Sequence, residues 1–328
     1  MFPERVDFTA PKTLATIALV VLVALVPHIS HALAQPYYVT LASRIIIYAL
    51  AASSLNLILG YGGMVSFGHA LYFGLGAYAV GILSFHGIFN GWVHLLATLC
   101  AAGLVALITG IICLRTRGMA FIMITLAFAQ MFFFLGVSLK QYGGDDGLAF
   151  ARRSDFAPLL DLQSNVMLYY VAAALLALFL YCTWRLVHAH FGMVLRGAKA
   201  NERRMRALGF PVLKYRLAAY VVSACVCGVA GLLLANLAQF ATPSYMAWTV
   251  SGELIVMVVL GGMGTVIGPV LGATALLLFE ELMPGLLGAI QPSYKDHWLV
   301  VLGPVILLIV LLARRGIYGM LDGGRDRS

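Results

Sequence analysis

Long apolar runs separated by short polar joints dominate the chain. They predict helices near 13–33, 39–59, 65–84, 92–113, 119–138, 166–187, 213–237, 249–262, 267–283 and 297–313. Most of these runs approach the roughly 20 apolar residues that an α-helix needs to cross a bilayer. Backbone polar groups in hydrocarbon must be satisfied within the segment, so helices are the expected spanning elements. The pattern predicts an all-α integral membrane protein with about ten transmembrane helices and glycine-broken segments. Residues 1–328 form a single transmembrane domain in this reading.

The polar joints give an orientation. Arg115 and Arg117 follow the fourth run, a basic cluster at 196–206 follows the sixth, and Arg314, Arg315, Arg325 and Arg327 follow the tenth. If every run crosses once, all three fall on one side, and the excess of arginine marks that side as cytoplasmic. The loop 139–165 then lies outside. One alternative stays open at the start: Arg5, Lys12, the apolar run 14–26 and Ala32-Leu33-Ala34 also fit a cleaved signal peptide, which would leave nine crossings.

Two apolar segments carry unusual glycine. In "LNLILGYGGMVSFGHALYFGLGAYAVGIL", 55–83, Gly60, Gly62 and Gly63 are too dense for a good helix, and Ser66 and Gly68 follow within the same break. In "VVLGGMGTVIGPVLGA", 258–273, Gly261 and Gly262 form a second break. Gly264, Gly268 and Gly272 recur every four residues, the spacing of a small-residue packing face. Both segments read Gly-Gly-Met before an apolar helix. Paired broken segments predict a translocation site at the membrane midplane.

Composition narrows the chemistry. The 328 residues are 62% hydrophobic and 10% charged, against about 25% charged in a soluble domain. The net charge of +8 therefore bears on topology, and nucleic-acid binding is not expected. The five cysteines all sit in apolar runs, as packed free thiols would. Metal-protease, paired-cysteine and nucleophile-elbow motifs are missing, so neither catalytic residues nor a metal site are predicted. Arg44 and Glu253 are expected toward the outer face, and Glu280 and Glu281 solvated beyond it. None of the five lysines follows a glycine, so the chain lacks the phosphate-cradling Gly-Lys pair of a P-loop and needs no cofactor of its own. If ATP drives transport, separate subunits bind it.

The basic stretch 188–212 is too long for a tight turn. Its middle, 196–208, holds good helix formers, and Gly209-Phe210-Pro211 stops them. Such a helix against the membrane is a natural lever for a soluble partner. Here the residues resemble a family. "NERRMRALGFPVLKYRLAAYVVSACVCGVAGLL" is similar to the cytoplasmic coupling loop of LivM-type inner-membrane permeases of branched-chain amino acid ABC transporters. Asn201, Glu202, Arg203, Arg204, Ala207, Leu208 and Gly209 match it, with Met205 where the family carries alanine. "GYGGMVSFGHALYFGLGAY", "RTRGMAFIMITLAFAQM", "GGDDGL" and "VVLGGMGTVIGPVLGA" resemble the family in the same order.

The resemblance implies a permease of an ABC importer in a bacterial inner membrane, paired with a second homologous permease. Two P-loop ATPases would dock at Arg196, Asn201, Glu202, Arg203, Arg204, Ala207 and Gly209, and a periplasmic binding protein would deliver substrate. It places Gly60, Gly62, Gly63, Ser66, Gly68, Glu253, Gly261, Gly262, Gly264 and Gly268 along the pathway or at helix breaks. Branched-chain amino acids are the leading cargo, although related permeases carry urea, other amino acids and small carboxylates or aromatics. An ion-coupled secondary transporter is the alternative.

Overall fold

A computed structural model describes residues 37–157 and 162–290, the short helix 316–320, and a few isolated positions between and before them. The chain is an all-α membrane protein with a two-stranded cap. The helices are α1 (Tyr37–Asn56, continued by a π-turn at Leu57–Tyr61), α2 (His69–Phe85), α3 (Gly91–Cys113), α4 (Met119–Ser138) and α5 (Asn165–His188). Then follow α6 (His190–Ala200), α7 (Glu202–Ala207), α8 (Val212–Ala238), α9 (Trp248–Gly261), α10 (Gly268–Ile290) and α11 (Gly316–Met320). Six of these are long and apolar enough to cross a membrane, while α2 and α9 are shorter apolar helices. The expected spans 39–59 through 267–283 each fall on one of these eight helices. Those at 13–33 and 297–313 lie outside the described residues.

Burial sorts the helices. The apolar windows of α1 and α8 are 78% and 61% buried, whereas those of α3, α4, α5 and α10 are 22–33% buried. The first two form the centre, and the others present apolar faces outward, as lipid-facing helices do. The centre is close-packed through glycine: a Cβ on Gly76 of α2 would stand 1.9 Å from the Gly228 carbonyl oxygen of α8. Where hydrocarbon surrounds the helices, close backbone approach is what holds them together.

The loops cluster at two ends. Arg117, before α4, reaches Glu202 of α7 at 2.9 Å, which puts the loops 114–118 and 188–212 at one end. At the other end β1 (Leu148–Ala149) pairs antiparallel with β2 (Phe240–Ala241), tying the loop 139–164 to the turn after α8. The buried guanidinium of Arg153 pins that loop, donating to the carbonyls of Leu162 and Gln163 at 3.2 and 3.0 Å. Desolvation there pushes its pKa below the usual arginine value.

Three expectations are corrected. The basic helix expected over 196–208 is two helices, because Asn201 adopts an extended backbone and caps α7, its Oδ1 accepting from the Arg204 N–H at 3.0 Å. Helix α10 does not stop before Pro284 but contains it and runs to Ile290. The spacing Gly264–Gly268–Gly272 is not one helical face. Gly264 sits in the turn before α10 with φ +78°, and only Gly268 and Gly272 are helical. Those two face α9 of the same chain, since a Cβ on Gly272 would lie 1.8 Å from the Met257 carbonyl oxygen.

Candidate coupling and translocation site

Both glycine segments break where expected. After α1 the π-turn ends at Tyr61, and Gly62–Gly68 is non-helical. After α9 the chain leaves helical geometry at Gly262, with φ +120°, and regains it at Gly268. The first span, Tyr37–Tyr61, has 25 residues, about 37 Å at ~1.5 Å per residue, more than the roughly 30 Å of hydrocarbon. The first break therefore follows a segment long enough to span, at the end of the bundle that holds the loops 114–118 and 188–212. Gly-Gly-Met follows a completed crossing instead of interrupting one.

The two breaks meet. A Cβ on Gly60 would stand 2.5 Å from the Gly264 nitrogen, so the backbones touch where no side chain fits. Asn56 fastens them. Its Nδ2 donates to the Thr265 carbonyl at 2.7 Å, and its Oδ1 accepts from the Gly264 N–H at 2.9 Å. Asn56 is buried, so both bonds are shielded from water. Thr265 completes the second turn: its hydroxyl donates to the Gly262 carbonyl at 2.8 Å and accepts from the Gly268 N–H at 3.1 Å, satisfying one open end of α10.

Polar side chains satisfy the first break likewise. Ser66 Oγ accepts from the Gly68 N–H at 3.2 Å, and Thr125 Oγ1 of α4 accepts from Phe67 N–H at 3.3 Å. Buried His69 lies between hydroxyls, its Nε2 2.8 Å from Ser223 Oγ and its Nδ1 3.4 Å from Ser66 Oγ, as a packing histidine does. Among the described residues there is no cluster of three side chains suited to a metal ion.

The cytoplasmic helices bear on this junction. Lys199, at the end of α6, donates to the Gly60 carbonyl at 2.7 Å, and its stem packs where a Gly63 side chain would be. Three residues on, Glu202 accepts from Arg117 at 2.9 Å, Arg206 at 2.6 Å and Arg216 at 2.8 Å. The Glu202 and Arg216 side chains are 10% and 15% exposed, while Arg117 and Arg206 are each 57% exposed. The carboxylate thus binds α7 to α8 and to the loop before α4. A cavity of about 160 Å³ lies beside it, lined by Gly63, Met64, Arg117, Glu202 and Arg216 among others.

The other expected coupling residues are exposed. Arg196 is anchored, donating to the Val187 carbonyl of α5 at 3.1 Å. Arg203, Arg204, Ala207 and Gly209 are exposed, beside Leu208 and Phe210, which are 65% and 39% exposed. Met205 faces back, its sulfur 2.7 Å from where a Gly197 Cβ would be, so it packs α7 on α6.

Glu253 lies near the start of α9. This helix has only 14 residues, about 21 Å at ~1.5 Å per residue, and ends at the second break. Glu253 and Glu280 are half-buried, which corrects the expectation of a solvated Glu280, whereas Glu281 is exposed and accepts from the Tyr37 hydroxyl.

Apolar helices tied by touching glycine turns, with basic helices set against those turns, define a multi-pass membrane protein. The chain belongs to the family of branched-chain amino acid transport system permease components, whose model matches residues 37–311. It is 25% identical over 317 residues to the high-affinity branched-chain amino acid transport system permease protein LivM of Escherichia coli (strain K12), covering 88% of this chain and 73% of that protein. The corresponding LivH protein of the same strain is 25% identical over 300 residues, 86% of this chain and 93% of LivH. No solved structure matches the chain significantly.

Proposed function

We propose that this chain is one permease subunit of an ABC importer in a bacterial inner membrane, carrying branched-chain amino acids or closely related small polar solutes. ATP is bound and hydrolysed by two separate P-loop subunits. A second, homologous permease completes the pathway, and a periplasmic binding protein delivers substrate. Similarity to both LivM and LivH supports a paired permease, and no comparison favours the ion-coupled alternative.

The observation that carries the reading is the bond from Lys199 to Gly60. It joins the exposed basic helices, where an ATPase can push, to the turns at which α1, α2, α9 and α10 meet. Arg203, Arg204, Ala207 and Leu208 supply the docking face, while Glu202, Lys199 and Arg196 hold it to the membrane helices. The chain crosses ten times, with both ends in the cytoplasm. Gly316 lies against Gly262, at the end where α10 begins.

The test is reconstitution in liposomes. This permease with its partner permease, the ATPases and the binding protein should concentrate leucine only when ATP is supplied. The permease alone should show neither ATP hydrolysis nor uptake. Uptake by the single chain driven by a sodium or proton gradient would overturn the proposal in favour of a secondary transporter.

A further inference from the structure

Arg44 of α1, Glu253 of α9 and Glu280 of α10 are ionisable groups that the coupling machinery does not use. Their helices meet at the breaks, so depth can be counted from there. Arg44 lies about 18 Å from Asn56, Glu280 about 18 Å from Gly268, and Glu253 about 12 Å from Gly261, at ~1.5 Å per residue. In a core roughly 30 Å thick that is membrane depth, where charged side chains are expensive and mark the paths of polar cargo.

The helices that carry the three charges pack together, α9 and α10 lying on α1 and on each other, and the Tyr37 hydroxyl of α1 bonds Glu281, next to Glu280. Glu253 and Glu280 lie within electrostatic reach of Arg44 and of each other. Tyr48 stands beside Arg44, its ring centroid 5.7 Å from the guanidinium carbon. A group that existed only to neutralise itself would close into direct ion pairs, since buried charge is tolerated only with close partners. It does not. Among the described residues every ion pair runs to Glu202. Arg44 is exposed and both carboxylates are half-buried, so all three can be reached from outside the chain. Tyr245, partly exposed, adjoins them, its ring 6.2 Å from that of Phe73, which packs 5.5 Å from Tyr48 in the buried core, centroid to centroid.

We propose that Arg44, Glu253 and Glu280 form a binding station for the zwitterionic head of an α-amino acid. The Arg44 guanidinium takes the α-carboxylate, for which its planar fork is suited. Glu253 and Glu280 take the α-ammonium, and the partly exposed ring of Tyr245 flanks the apolar side chain. The ligand supplies the bridge between opposite charges that the protein leaves open. The station rests on the amino-acid permease reading and deepens it.

The test begins with ATP-driven leucine uptake by the complete wild-type complex. If that is absent, the permease reading fails before the station is examined. Radiolabelled leucine binding is then measured on the assembled permease–ATPase complex in nanodiscs without binding protein. Saturable binding is expected, competed by leucine but not by 3-methylbutylamine, which lacks the carboxylate, or by 4-methyl-2-oxopentanoate, which lacks the ammonium. Arg44→Met, Glu253→Gln and Glu280→Gln should each weaken binding tenfold or more at normal yield of assembled complex, with Arg44→Lys recovering part of the loss. The station is refuted if a transporting wild-type complex shows no saturable binding up to millimolar leucine. It is equally refuted if either analogue competes like leucine, or if the variants bind as wild type. Should Arg44→Met fail to assemble, Arg44→Lys and the analogue competition on wild type decide.

Discussion

The ammonium of Lys199 donates to the carbonyl of Gly60 at 2.7 Å, across 139 positions of sequence. One end of this bond belongs to a solvent-facing helix and the other to the turn where two membrane hairpins touch. The lysine stem adds contact, lying against Gly63, which no side chain could share. Bond and stem make separable demands. Lys199→Met keeps most of the stem and removes the donor, while Lys199→Arg keeps a donor with different reach. In the assembled complex, Lys199→Met should lower uptake per ATP hydrolysed several-fold, and Lys199→Arg should recover part of it. Equal coupling ratios in wild type and Lys199→Met would show that the stem alone suffices.

Asn56 should be the most sensitive polar residue of α1. Replacing it with alanine leaves the Thr265 carbonyl and the Gly264 N–H without partners, and an unsatisfied buried group costs about 1–3 kcal/mol. Asn56→Asp removes only the donor and places a carboxylate against the Thr265 carbonyl. Both variants should lower the thermal midpoint of the purified permease, measured by dye-monitored unfolding in detergent. Retention of the wild-type midpoint by Asn56→Ala would mean that the breaks hold together without this side chain.

Gly60→Ala tests the same junction from the backbone side. The added methyl meets the Gly264 nitrogen and Cα at 2.5 and 2.8 Å, and neither can rotate away as a flexible side chain could. Overpacking of this kind costs about 1–3 kcal/mol. By contrast, Gly252→Ala on α9 adds a methyl that meets nothing within 4 Å and should be silent. Membrane yield and monodispersity on size exclusion distinguish the two.

How much of this was legible beforehand depends on whether the signal was local. The spans were, because apolar length is a one-dimensional property and hydrocarbon thickness sets it. The breaks were legible for the same reason, since dense glycine weakens a helix wherever it lies. Their contact with each other was not. Gly60 and Gly264 are far apart in sequence, and no local pattern says that one turn receives the other. That the first break follows a span-length helix was countable, since Tyr37–Tyr61 holds 25 residues. Asn56 could have been noticed as a lone amide in the apolar run Ala49–Leu59. Lys199 could not, since composition gives it the same surface role as its basic neighbours. The repeat Gly264–Gly268–Gly272 misled because spacing alone cannot say where a helix begins; the positive φ of Gly264 decides it.

Glu202 supports three arginines and should control the shape of the coupling helices more than their charge. Its partners Arg117 and Arg206 are largely exposed, so each of those pairs is worth little alone. Arg216 is shielded and its Nη2 also donates to the Ala198 carbonyl, so loss of the carboxylate leaves a nearly buried guanidinium short of a partner. Glu202→Gln should therefore raise amide hydrogen exchange over 190–207 in the isolated permease. Arg206→Gln, losing only an exposed partner, should change it little. Identical exchange in both variants would assign the ordering of α6 and α7 to packing, with Met205 against Gly197 the leading contact.

The exposed face of α7 should be read by an ATPase through shape. If the basic stretch served only to retain the loop in the cytoplasm, positive charge would suffice and lysine would replace Arg203 and Arg204 without loss. A docking surface asks more, because guanidinium forks pair with carboxylates in a geometry that an ammonium cannot copy. Ala207 separates the readings further: it is exposed, touches none of the Glu202 ion pairs, and carries no charge. Ala207→Trp leaves topology and net charge untouched but places a bulky ring beside Leu208, on the surface assigned to the partner. Membrane insertion and the thermal midpoint of the permease should stay at wild-type values. Substrate-stimulated ATP hydrolysis and uptake should fall together by tenfold or more, because an interface core tolerates a misplaced aromatic ring poorly. If Ala207→Trp and the double arginine-to-lysine variant both transport as wild type, then α7 is a topological signal, and the ATPases engage a different part of the cytoplasmic end.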